Sequence, residues 1–428
     1  MPDAPQSPAP PTPETAARRA ASINVGRTDS EAGLDLSRLR RERLARVRAE
    51  LKRRDLAGAL LYDPINIRYA TGSRNMAVWT LHNAARSCFV PVEGPVILYD
   101  YHNCEHLSDG LETIDEVRRT ISWYFFSAGW RVEEKAKAWA AEIADLIGQY
   151  GGGNRRLAID KCDMAGTWAL EAQAVELHDG QEVMEQARLI KSDLEIQAMT
   201  HAIAVAEIGM TAMHQALKPG ISENRLWSLL HRENIARGGE WIETRLLSAG
   251  RRTNPWFQEC SAHLIRPGDL VSFDTDLIGP FGYCADVSRT FHCGPGKPTA
   301  EQKRLYGLAY EQIETNVALL KPGMTFREVS EKSWKLPSSC NPNRYSVVIH
   351  GVGLCDEYPS VYYSEDWESF GYDGEIQPGM TLCVESYIGE AGGDEGVKLE
   401  QQVLVTESGV QVLSHFPFEE DLLPSRWV

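Results

Sequence analysis

The chain has 428 residues, a formal net charge of -16 at pH 7, and 43% hydrophobic and 24% charged residues. This is an ordinary globular composition, and the length allows two or three domains. The negative charge argues against a nucleic acid or an anionic membrane as a partner, because both are bound through basic patches. The nine cysteines show no C-x-x-C spacing and indicate reduced thiols in the cytoplasm. No apolar run predicts a membrane-spanning helix, and no leader resembles a signal peptide.

The first part of the chain predicts an arm followed by a small α/β domain. Residues 1-35 are rich in proline and predict a disordered or extended arm. Residues 36-190 predict an α/β domain that begins with an amphipathic helix over Ser37 to Arg54. A buried strand, a turn at Asp63-Pro64 and a second extended segment ending at Gly72 follow this helix. We assign residues 191-428 to a second domain.

The second domain repeats one pattern of elements. A capping box at Ser192 opens a long helix, and a similar signal at Thr299 opens another. Each long helix is followed by Leu-Lys-Pro-Gly, a second helix, and later a Pro-Gly turn into a strand. In both copies an acid stands seven residues beyond the proline of that turn, namely Asp274 and Glu385. The repeat predicts a pseudo-symmetric α+β domain whose site lies where the halves meet.

Three aspartates lie close together in the strand-turn-strand pattern of residues 271-291. Asp274, Asp276 and Asp286 fall within thirteen residues, and a hairpin with its turn at residues 279-282 would bring them together. Neighbouring carboxylates repel one another unless a cation neutralises them. Hard oxygen ligands suit Mn, Fe, Zn, Mg or Ca, so the triplet suggests a divalent metal site. The alternative is that the three acids are ordinary turn and surface residues.

Three later residues extend this group of candidate ligands. His350 ends the β-branched run SVVIH, Glu385 lies on the strand after Pro378-Gly379, and Glu400 lies inside the apolar strand GVKLEQQVLV. An isolated carboxylate in an apolar strand is costly, so it needs a cation or a partner. A single histidine or glutamate is more often structural, but together with the aspartates these residues predict a metal centre.

The series FDTDLIGPFGYCADVSRTF, HGVGL and GVKLEQQVLV resembles the creatinase, prolidase and methionine aminopeptidase superfamily. The segment NIRYATG at residues 66-72 is similar to the N-terminal domain of creatinase and aminopeptidase P. The resemblance implies a pita-bread catalytic domain, a smaller creatinase-like domain before it, and a homodimer. It also implies two divalent metal ions with Asp286 and Glu400 bridging them. The implied ligands are Asp274 or Asp276 or both, then Asp286, His350, Glu385 and Glu400.

Two features depart from the peptidases of this superfamily. Asp286 follows Asp274 by twelve residues and Asp276 by ten, a spacing that differs from the family pattern. The two histidines that handle the scissile amide are also missing, because Trp256 stands near the place of the first. In HGVGLCDEYP, Asp356 and Glu357 stand where the second is expected. A peptidase without them would lose much of its acid-base and oxyanion chemistry.

The same departures resemble the dimethylsulfoniopropionate (DMSP) lyases of the superfamily, which implies β-elimination to dimethyl sulfide and acrylate. A metal would hold the substrate carboxylate, and Asp356 would take the adjacent proton as general base. We assign Asp356 and Tyr345 as the catalytic residues of this hypothesis. A sulfonium cation prefers aromatic faces, and the candidate rings besides Tyr345 are Trp256, Tyr358 and Tyr387.

Two other functions remain open from the sequence. A metal-dependent Xaa-Pro peptidase would need another histidine, such as His201 or His263, in place of the missing pair. A non-catalytic binding protein of the same fold is the third possibility, but it has no reason to retain the full set of acids. For the metal we predict iron, with manganese or zinc as alternatives, because the ligand set is rich in oxygen and contains one histidine.

Overall fold

The computed structural model describes residues 33-423 of the chain. They form two compact units, one of Asp35–Arg188 and one that contains Leu189–Val428. The predicted arm of residues 1-35 lies almost entirely outside the described residues. Within residues 33-423, no helix combines the length and the apolar composition that crossing a bilayer requires.

The N-terminal unit is built on a mixed sheet of six strands. The strands are β1 (Gly58–Leu61), β2 (Ser87–Pro91), β3 (Ile97–Asp100), β4 (Glu116–Arg119), β5 (Arg156–Ile159) and β6 (Glu176–Asp179), in the order β4-β3-β2-β1-β5-β6. The helices are α1 (Leu36–Arg53), α2 (Pro64–Thr71), α3 (Ala77–Thr80), α4 (Phe125–Ala128), α5 (Val132–Tyr150), α6 (Met164–Glu171) and α7 (Gly180–Arg188). Trp139 and Ile143 of α5 pack in one core with Leu60 and Phe89 of the sheet.

Helix α2 corrects the sequence prediction of a turn and an extended segment. The Asp63 carboxylate caps the helix by accepting a hydrogen bond from the Ile65 backbone N–H at 2.8 Å, and Pro64 occupies the first turn. Gly72 ends the helix with a φ of +81°. A proline at the first helical position and a glycine after the last are favoured, because neither costs the helix a hydrogen bond there. These local signals were present in the sequence and outweigh the short length of the segment.

The second unit contains eleven strands and five α-helices among its described residues. The helices are α8 (Asp193–Ala216), α9 (Glu223–Ala236), α10 (Ala300–Leu319), α11 (Phe326–Lys332) and α12 (Trp367–Phe370). The strands are β7 (Trp241–Ile242), β8 (Leu247–Ala249), β9 (Leu270–Phe273), β10 (Leu277–Ile278), β11 (Cys284–Ala285), β12 (Arg289–His292), β13 (Ile349–Val352), β14 (Asp356–Val361), β15 (Thr381–Gly389), β16 (Gly396–Val405) and β17 (Val410–Val412). They form sheets in the orders β11-β10-β7, β12-β9-β8 and β14-β13-β15-β16-β17.

The two halves of this unit use the same backbone contacts, which confirms the predicted pseudo-symmetric α+β fold. In the first half, the Gly220 N–H donates to the Ile265 carbonyl at 2.8 Å. In the second half, the Gly323 N–H donates to the Ile376 carbonyl at 2.9 Å. Both contacts join a Leu-Lys-Pro-Gly glycine to the residue two positions before the proline of the next Pro-Gly turn. In each half, a strand therefore begins at an equivalent turn, and the two strands lead toward the same region.

The predicted hairpin of residues 271-291 is present but interrupted. Strand β9 pairs with β12, and β10 pairs with β11, both antiparallel and in one continuous register. Between these pairs, the Thr275 hydroxyl donates to the Ala285 carbonyl at 2.8 Å and accepts from the Val287 N–H at 2.9 Å. A side chain thus satisfies the backbone where the ladder is broken. The break lets the acids at positions 274, 276 and 286 gather in one place.

Strands β15 and β16 separate an apolar core from a polar face. Val384 and Ile388 of β15 and Leu399 of β16 pack in a core with Leu305 and Ile313 of α10. Because side chains alternate across a strand, Glu385 and Glu400 point to the opposite face. That face is also buried, since every residue of both strands is buried. The sheet therefore holds charged side chains away from solvent, where they need compensation.

Candidate metal centre

Strand pairing brings three predicted ligands onto one face of the sheet. Glu385 and Glu400 are direct partners across β15 and β16, and His350 is the partner of Cys383 across β13 and β15. Direct partners in an antiparallel pair point to the same face, and Cys383 shares the face of Glu385. Two glutamates directly opposite each other are destabilising without a cation between them.

The six predicted ligands meet in one buried cluster. Asp274, Asp276, Asp286, His350, Glu385 and Glu400 are each no more than 8% exposed. Their donor atoms form three overlapping groups within 4.8 Å, each compatible with a metal ion. The groups are Asp286, His350, Cys383 and Glu400; Asp274, Glu385 and Glu400; and Asp274, Asp276 and Asp286. Asp274, Asp286 and Glu400 each belong to two of these groups, and the assignment of Asp286 and Glu400 as bridging ligands stays a prediction.

His350 presents one nitrogen to the acids and the other to the backbone. Its Nδ1 lies 3.0 Å from the Gly351 carbonyl oxygen, to which it donates as the N–H tautomer. Its Nε2 lies 3.2 Å from Glu385 Oε1 and 3.6 Å from Asp286 Oδ2. Metal-binding histidines commonly donate their second ring N–H in this way, which fixes the ring and leaves the other nitrogen free to ligate.

The electrostatics of the acids fit a divalent cation. Burial and the Glu400 carboxylate raise the pKa of Asp286 well above its usual range. Burial and the Glu385 carboxylate do the same to the pKa of Glu400. Glu400 Oε1 is also buried without a hydrogen-bond partner among the described residues. A cation held by Asp286, His350 and Glu400 would neutralise these charges and satisfy that oxygen.

Asp276 lies in a loop with an unusual backbone conformation. Its backbone has a φ of +34°, which is uncommon for a residue with a side chain. Its carboxylate accepts a hydrogen bond from the Thr244 hydroxyl, and its N–H donates to Asp286 Oδ1 at 3.4 Å. In this conformation Asp274, Asp276 and Asp286 each place a carboxylate oxygen within 4.8 Å of the others.

Two members of the cluster were missed from the sequence, Lys398 and Cys383. The Lys398 side chain is fully buried, and its Nζ lies 2.6 Å from Glu385 Oε2 and 3.1 Å from Asp274 Oδ2. Burial alone would lower the pKa of Lys398, but the surrounding carboxylates outweigh it and raise that pKa well above its usual range. The signal was strand alternation, because Lys398 is two residues before Glu400 and Cys383 two before Glu385.

Asp356 lies at the open side of this cluster. Its Oδ1 is 3.8 Å from His350 Nδ1, its side chain is 54% exposed, and it belongs to none of the three groups. Partial burial, opposed by His350 and reinforced by Asp274, raises the pKa of Asp356. A carboxylate that is close to the ligands and open to solvent can reach a bound small molecule.

The Glu357 side chain fixes the segment that carries Asp356. The Glu357 carboxylate accepts from the Leu354 N–H at 2.9 Å and pairs with Lys191 Nζ at 2.9 Å. A Cβ at position 353 would come within 2.4 Å of this carboxylate, so a larger residue there would displace Glu357. Glu357 is buried and faces away from Asp356, since consecutive residues of β14 point to opposite sides.

Three of the four predicted aromatic residues lie near Lys398. Lys398 Nζ is 4.6 Å from the centre of the Tyr345 ring and 6.0 Å from that of Trp256. Tyr387 packs against Trp256 at 5.9 Å, and its hydroxyl donates to the Thr253 carbonyl at 2.8 Å. The structure does not bring Tyr358 into this group.

Tyr358 instead packs against Phe326 and Tyr372, with ring centres 5.9 and 5.7 Å away. Among the described residues, Tyr358 therefore does not join the other candidate rings for a sulfonium cation. Tyr387 is fully buried and holds the loop of Thr253, which leaves Trp256 and Tyr345 as the rings beside Lys398.

The two candidate replacements for the missing peptidase histidines, His201 and His263, are not among the potential metal ligands of the described residues. His201 is buried in α8 with its ring edge against Phe281, at 5.7 Å. His263 lies on the loop before β9, where its N–H donates to the Ser261 hydroxyl at 3.0 Å. Neither belongs to any group of potential metal ligands among residues 33-423.

Comparison with known proteins agrees with this arrangement. Residues 197-407 match the family described as metallopeptidase family M24, and residues 43-190 match the creatinase/prolidase N-terminal domain. The Xaa-Pro dipeptidase structure from Bacillus anthracis has a TM-score of 0.70 and 21% sequence identity, covering 89% of this chain and 98% of that one. This likeness shows the fold, and it confirms the expected creatinase-like and pita-bread domains.

Two curated relatives are more similar in sequence. Dimethylsulfoniopropionate lyase DddP of Roseovarius nubinhibens is 43% identical over 394 residues, covering 91% of this chain and 88% of the relative. The protein of the same name from Roseobacter denitrificans is 41% identical with the same coverage. The chain therefore belongs to the DddP family of dimethylsulfoniopropionate lyases, within the fold of the M24 metallopeptidases.

Proposed function

We propose that this protein is a metal-dependent carbon-sulfur lyase that cleaves DMSP into dimethyl sulfide and acrylate. The single observation that carries the proposal is the position of Asp356, which is close to the predicted metal ligands without being one of them. The family assignment supports the substrate, since both relatives are named for this activity.

The reaction needs one base and one cleaved bond. The base removes a proton from the carbon next to the substrate carboxylate, and that C–H electron pair becomes the double bond of acrylate. The C–S bond breaks, and its electron pair leaves with the sulfur as neutral dimethyl sulfide. The proton stays on the base until solvent takes it, so no acid is needed for the leaving group.

The predicted ligands are Asp274, Asp276, Asp286, His350, Glu385 and Glu400. A divalent ion held by these residues would supply Lewis acidity toward the substrate carboxylate, which would make the adjacent C–H more acidic. Asp356 serves as the general base because it combines a raised pKa with an exposed side chain. A base with a raised pKa draws the proton more strongly.

The sulfonium end of the substrate needs a different surface. Trp256 and Tyr345 face the centre near Lys398, and Phe257 stacks on Tyr345 at 5.4 Å. Aromatic faces attract a desolvated cation. We propose that Trp256 and Tyr345 bind the dimethylsulfonio group, while Tyr345 also helps to orient the C–H toward Asp356.

Three finer features belong to the same proposal. We propose iron as the metal, with manganese or zinc as alternatives, because the ligands are five carboxylates and one histidine. We propose a cytoplasmic location, because the spacing of the nine cysteines in the sequence does not resemble a disulfide framework. A homodimer is proposed from the superfamily resemblance alone.

The test is the purified enzyme with Asp356→Ala and Asp356→Asn. Both variants should lose at least about 100-fold in dimethyl sulfide release, since a general base contributes about 10²- to 10⁴-fold. Both should keep the metal content of the unaltered enzyme by elemental analysis, because Asp356 is outside the ligand groups. Full activity in either variant would refute the role of Asp356. Release of proline from X-Pro dipeptides, without dimethyl sulfide from DMSP, would refute the lyase assignment.

A further inference from the structure

Lys398 is a buried cation at the metal centre that the elimination chemistry does not use. Its Nζ contacts an oxygen of three carboxylates, at 2.6 Å for Glu385, 3.1 Å for Asp274 and 3.4 Å for Glu400. A fourth contact, at 2.6 Å, joins it to the Ser288 hydroxyl. These are hydrogen-bond lengths to an ammonium group, and they come from three different strand segments.

The contacts of Lys398 divide the three groups of potential ligands. Asp274, Glu385 and Glu400 form one group, and Lys398 lies among all three of its carboxylates. The other two groups are Asp286, His350, Cys383 and Glu400, and Asp274, Asp276 and Asp286. Lys398 thus accounts for one of the three groups, and the other two groups remain as positions for divalent ions.

The oxygens of the glutamates are divided in the same way. Glu385 turns Oε2 to Lys398 and Oε1 to His350, at 2.6 and 3.2 Å. Glu400 turns Oε2 to the Ser288 hydroxyl at 2.8 Å and leaves Oε1 without a hydrogen bond among the described residues. Each of these two glutamates therefore has one oxygen held by lysine or serine and the other directed toward the remaining predicted ligands.

The sum of formal charges at the centre indicates a role for Lys398. The centre contains five buried carboxylates, from Asp274, Asp276, Asp286, Glu385 and Glu400. Two divalent ions contribute four positive charges and leave one negative charge uncompensated. The Lys398 ammonium contributes the fifth positive charge, and the sum is zero. A buried net charge is costly, so this balance stabilises the loaded centre.

We propose that Lys398 is the third cation of the metal centre, a fixed ammonium that balances its charge and orients Asp274, Glu385 and Glu400 for two divalent ions. The proposal rests on the metal centre and not on the elimination reaction. In an alternative model, the lysine takes the place of one of the two ions. Removing the lysine would then increase the metal content, whereas our proposal predicts no increase.

The experiment compares Lys398→Met with Lys191→Met as a matched control. Lys191 is also a buried, ion-paired lysine of the same unit, at 2.9 Å from Glu357, but it contacts none of the metal ligands. Two quantities are measured, namely Mn²⁺ per chain by elemental analysis after loading, and the unfolding temperature with Mn²⁺ or with a chelator.

Removing Lys398 should make stability depend more strongly on the metal. We expect the chelator to lower the unfolding temperature of Lys398→Met by about 5 °C more than that of the unaltered protein, as a loss of charge balance predicts. Lys191→Met should respond to the chelator as the unaltered protein does. The Mn²⁺ content of Lys398→Met should not exceed that of the unaltered protein.

Three results would overturn the proposal. An additional Mn²⁺ per chain in Lys398→Met would show that the lysine takes the place of a metal ion. An equal chelator response in Lys398→Met and Lys191→Met would show a purely structural lysine. If Lys398→Met does not fold in either condition, Lys398→Arg decides, because it keeps the charge. Its chelator response should match the unaltered protein, and a clearly larger response would refute the charge-balancing role. DMSP cleavage is not used as a readout, so failure of the lyase assignment would leave this test intact.

Discussion

At the scale of single residues, Trp256 offers both a ring and an unpaired donor. The indole is 5% exposed, and its Nε1 has no hydrogen-bond partner among residues 33-423. A buried N–H without an acceptor is costly and needs a reason in a functional site. Either the ring face binds the sulfonium group, or the N–H donates to the substrate carboxylate.

Replacing Trp256 separates the two roles. We expect Trp256→Ala to raise the KM for DMSP about 5- to 30-fold, which corresponds to about 1-2 kcal/mol for a desolvated cation on an aromatic face. Trp256→Phe retains a ring without the N–H and should recover most of that loss. Steady-state kinetics of both variants measures this. If Trp256→Phe is impaired as much as Trp256→Ala, the N–H and not the ring carries the binding.

The ion pair of Lys191 and Glu357 should position Asp356 by fixing the residue that follows it in the chain. Both side chains are almost fully buried, and Glu357 also accepts from the Leu354 N–H. We expect Lys191→Met to lower kcat about 10- to 100-fold with little change in KM, because a displaced base loses alignment with the C–H. Lys191→Arg should restore part of kcat, and the metal content should stay unchanged. A fall in kcat accompanied by loss of metal would indicate general damage to the unit instead.

At the scale of elements, the N-terminal sheet depends on a buried ion pair between Arg86, the residue before β2, and Asp100, the last residue of β3. Arg86 Nε donates to Asp100 Oδ2 at 2.8 Å, and both side chains are at most 2% exposed. Asp100 also accepts from the Tyr101 N–H at 3.0 Å and the Asn75 side-chain amide at 3.3 Å. Such a pair contributes little as a unit but is expensive to break, because the remaining charge stays buried.

We therefore expect Arg86→Met to destabilise the N-terminal unit by about 3-5 kcal/mol. Hydrogen exchange of the β2 and β3 amides should report this loss directly. Arg131→Met, which removes the exposed pair of Arg131 and Glu134, should leave the same amides unchanged. Adding Asp100→Leu to Arg86→Met should recover much of the stability, and no recovery would mean that packing rather than charge caused the loss.

At the scale of the whole molecule, all predicted metal ligands belong to the unit of Leu189–Val428. Metal binding stabilises only the folded form of the unit that binds it, by mass action. We expect chelation to abolish DMSP cleavage and to increase hydrogen exchange in β13, β15 and β16. With metal present at about 100 times its dissociation constant, the expected stabilisation is about 2.7 kcal/mol per ion.

The N-terminal sheet provides the internal control for chelation. Its amides should exchange at the same rate with and without the chelator, because none of its residues is in a metal-binding group. Equal acceleration in both units would contradict this separation. Re-addition of metal should reverse both the exchange and the activity.

Local rules allowed much of this protein to be predicted. Alternation and turn residues indicated the hairpin of residues 271-291, and the repeated Pro-Gly turns indicated the pseudo-symmetric unit. The candidate ligands were found because a carboxylate or histidine in a buried strand needs compensation. In α2, the cap residues Asp63 and Gly72 set the ends of a helix that the short apolar pattern between them does not indicate by itself.

The sequence alone determined which residue types are available and which side of each strand they occupy, because both follow from the chain itself. Only the tertiary structure decided which faces meet. Lys398 was readable as a lysine on the face of Glu400, but its contact with Asp274 depends on two strands 124 residues apart in the chain. Tyr358 was equally plausible from the sequence as an aromatic ring that binds the sulfonium group, yet it packs against Phe326 and Tyr372. Such long-range contacts are set by how the halves of the unit pack, and no local pattern encodes them.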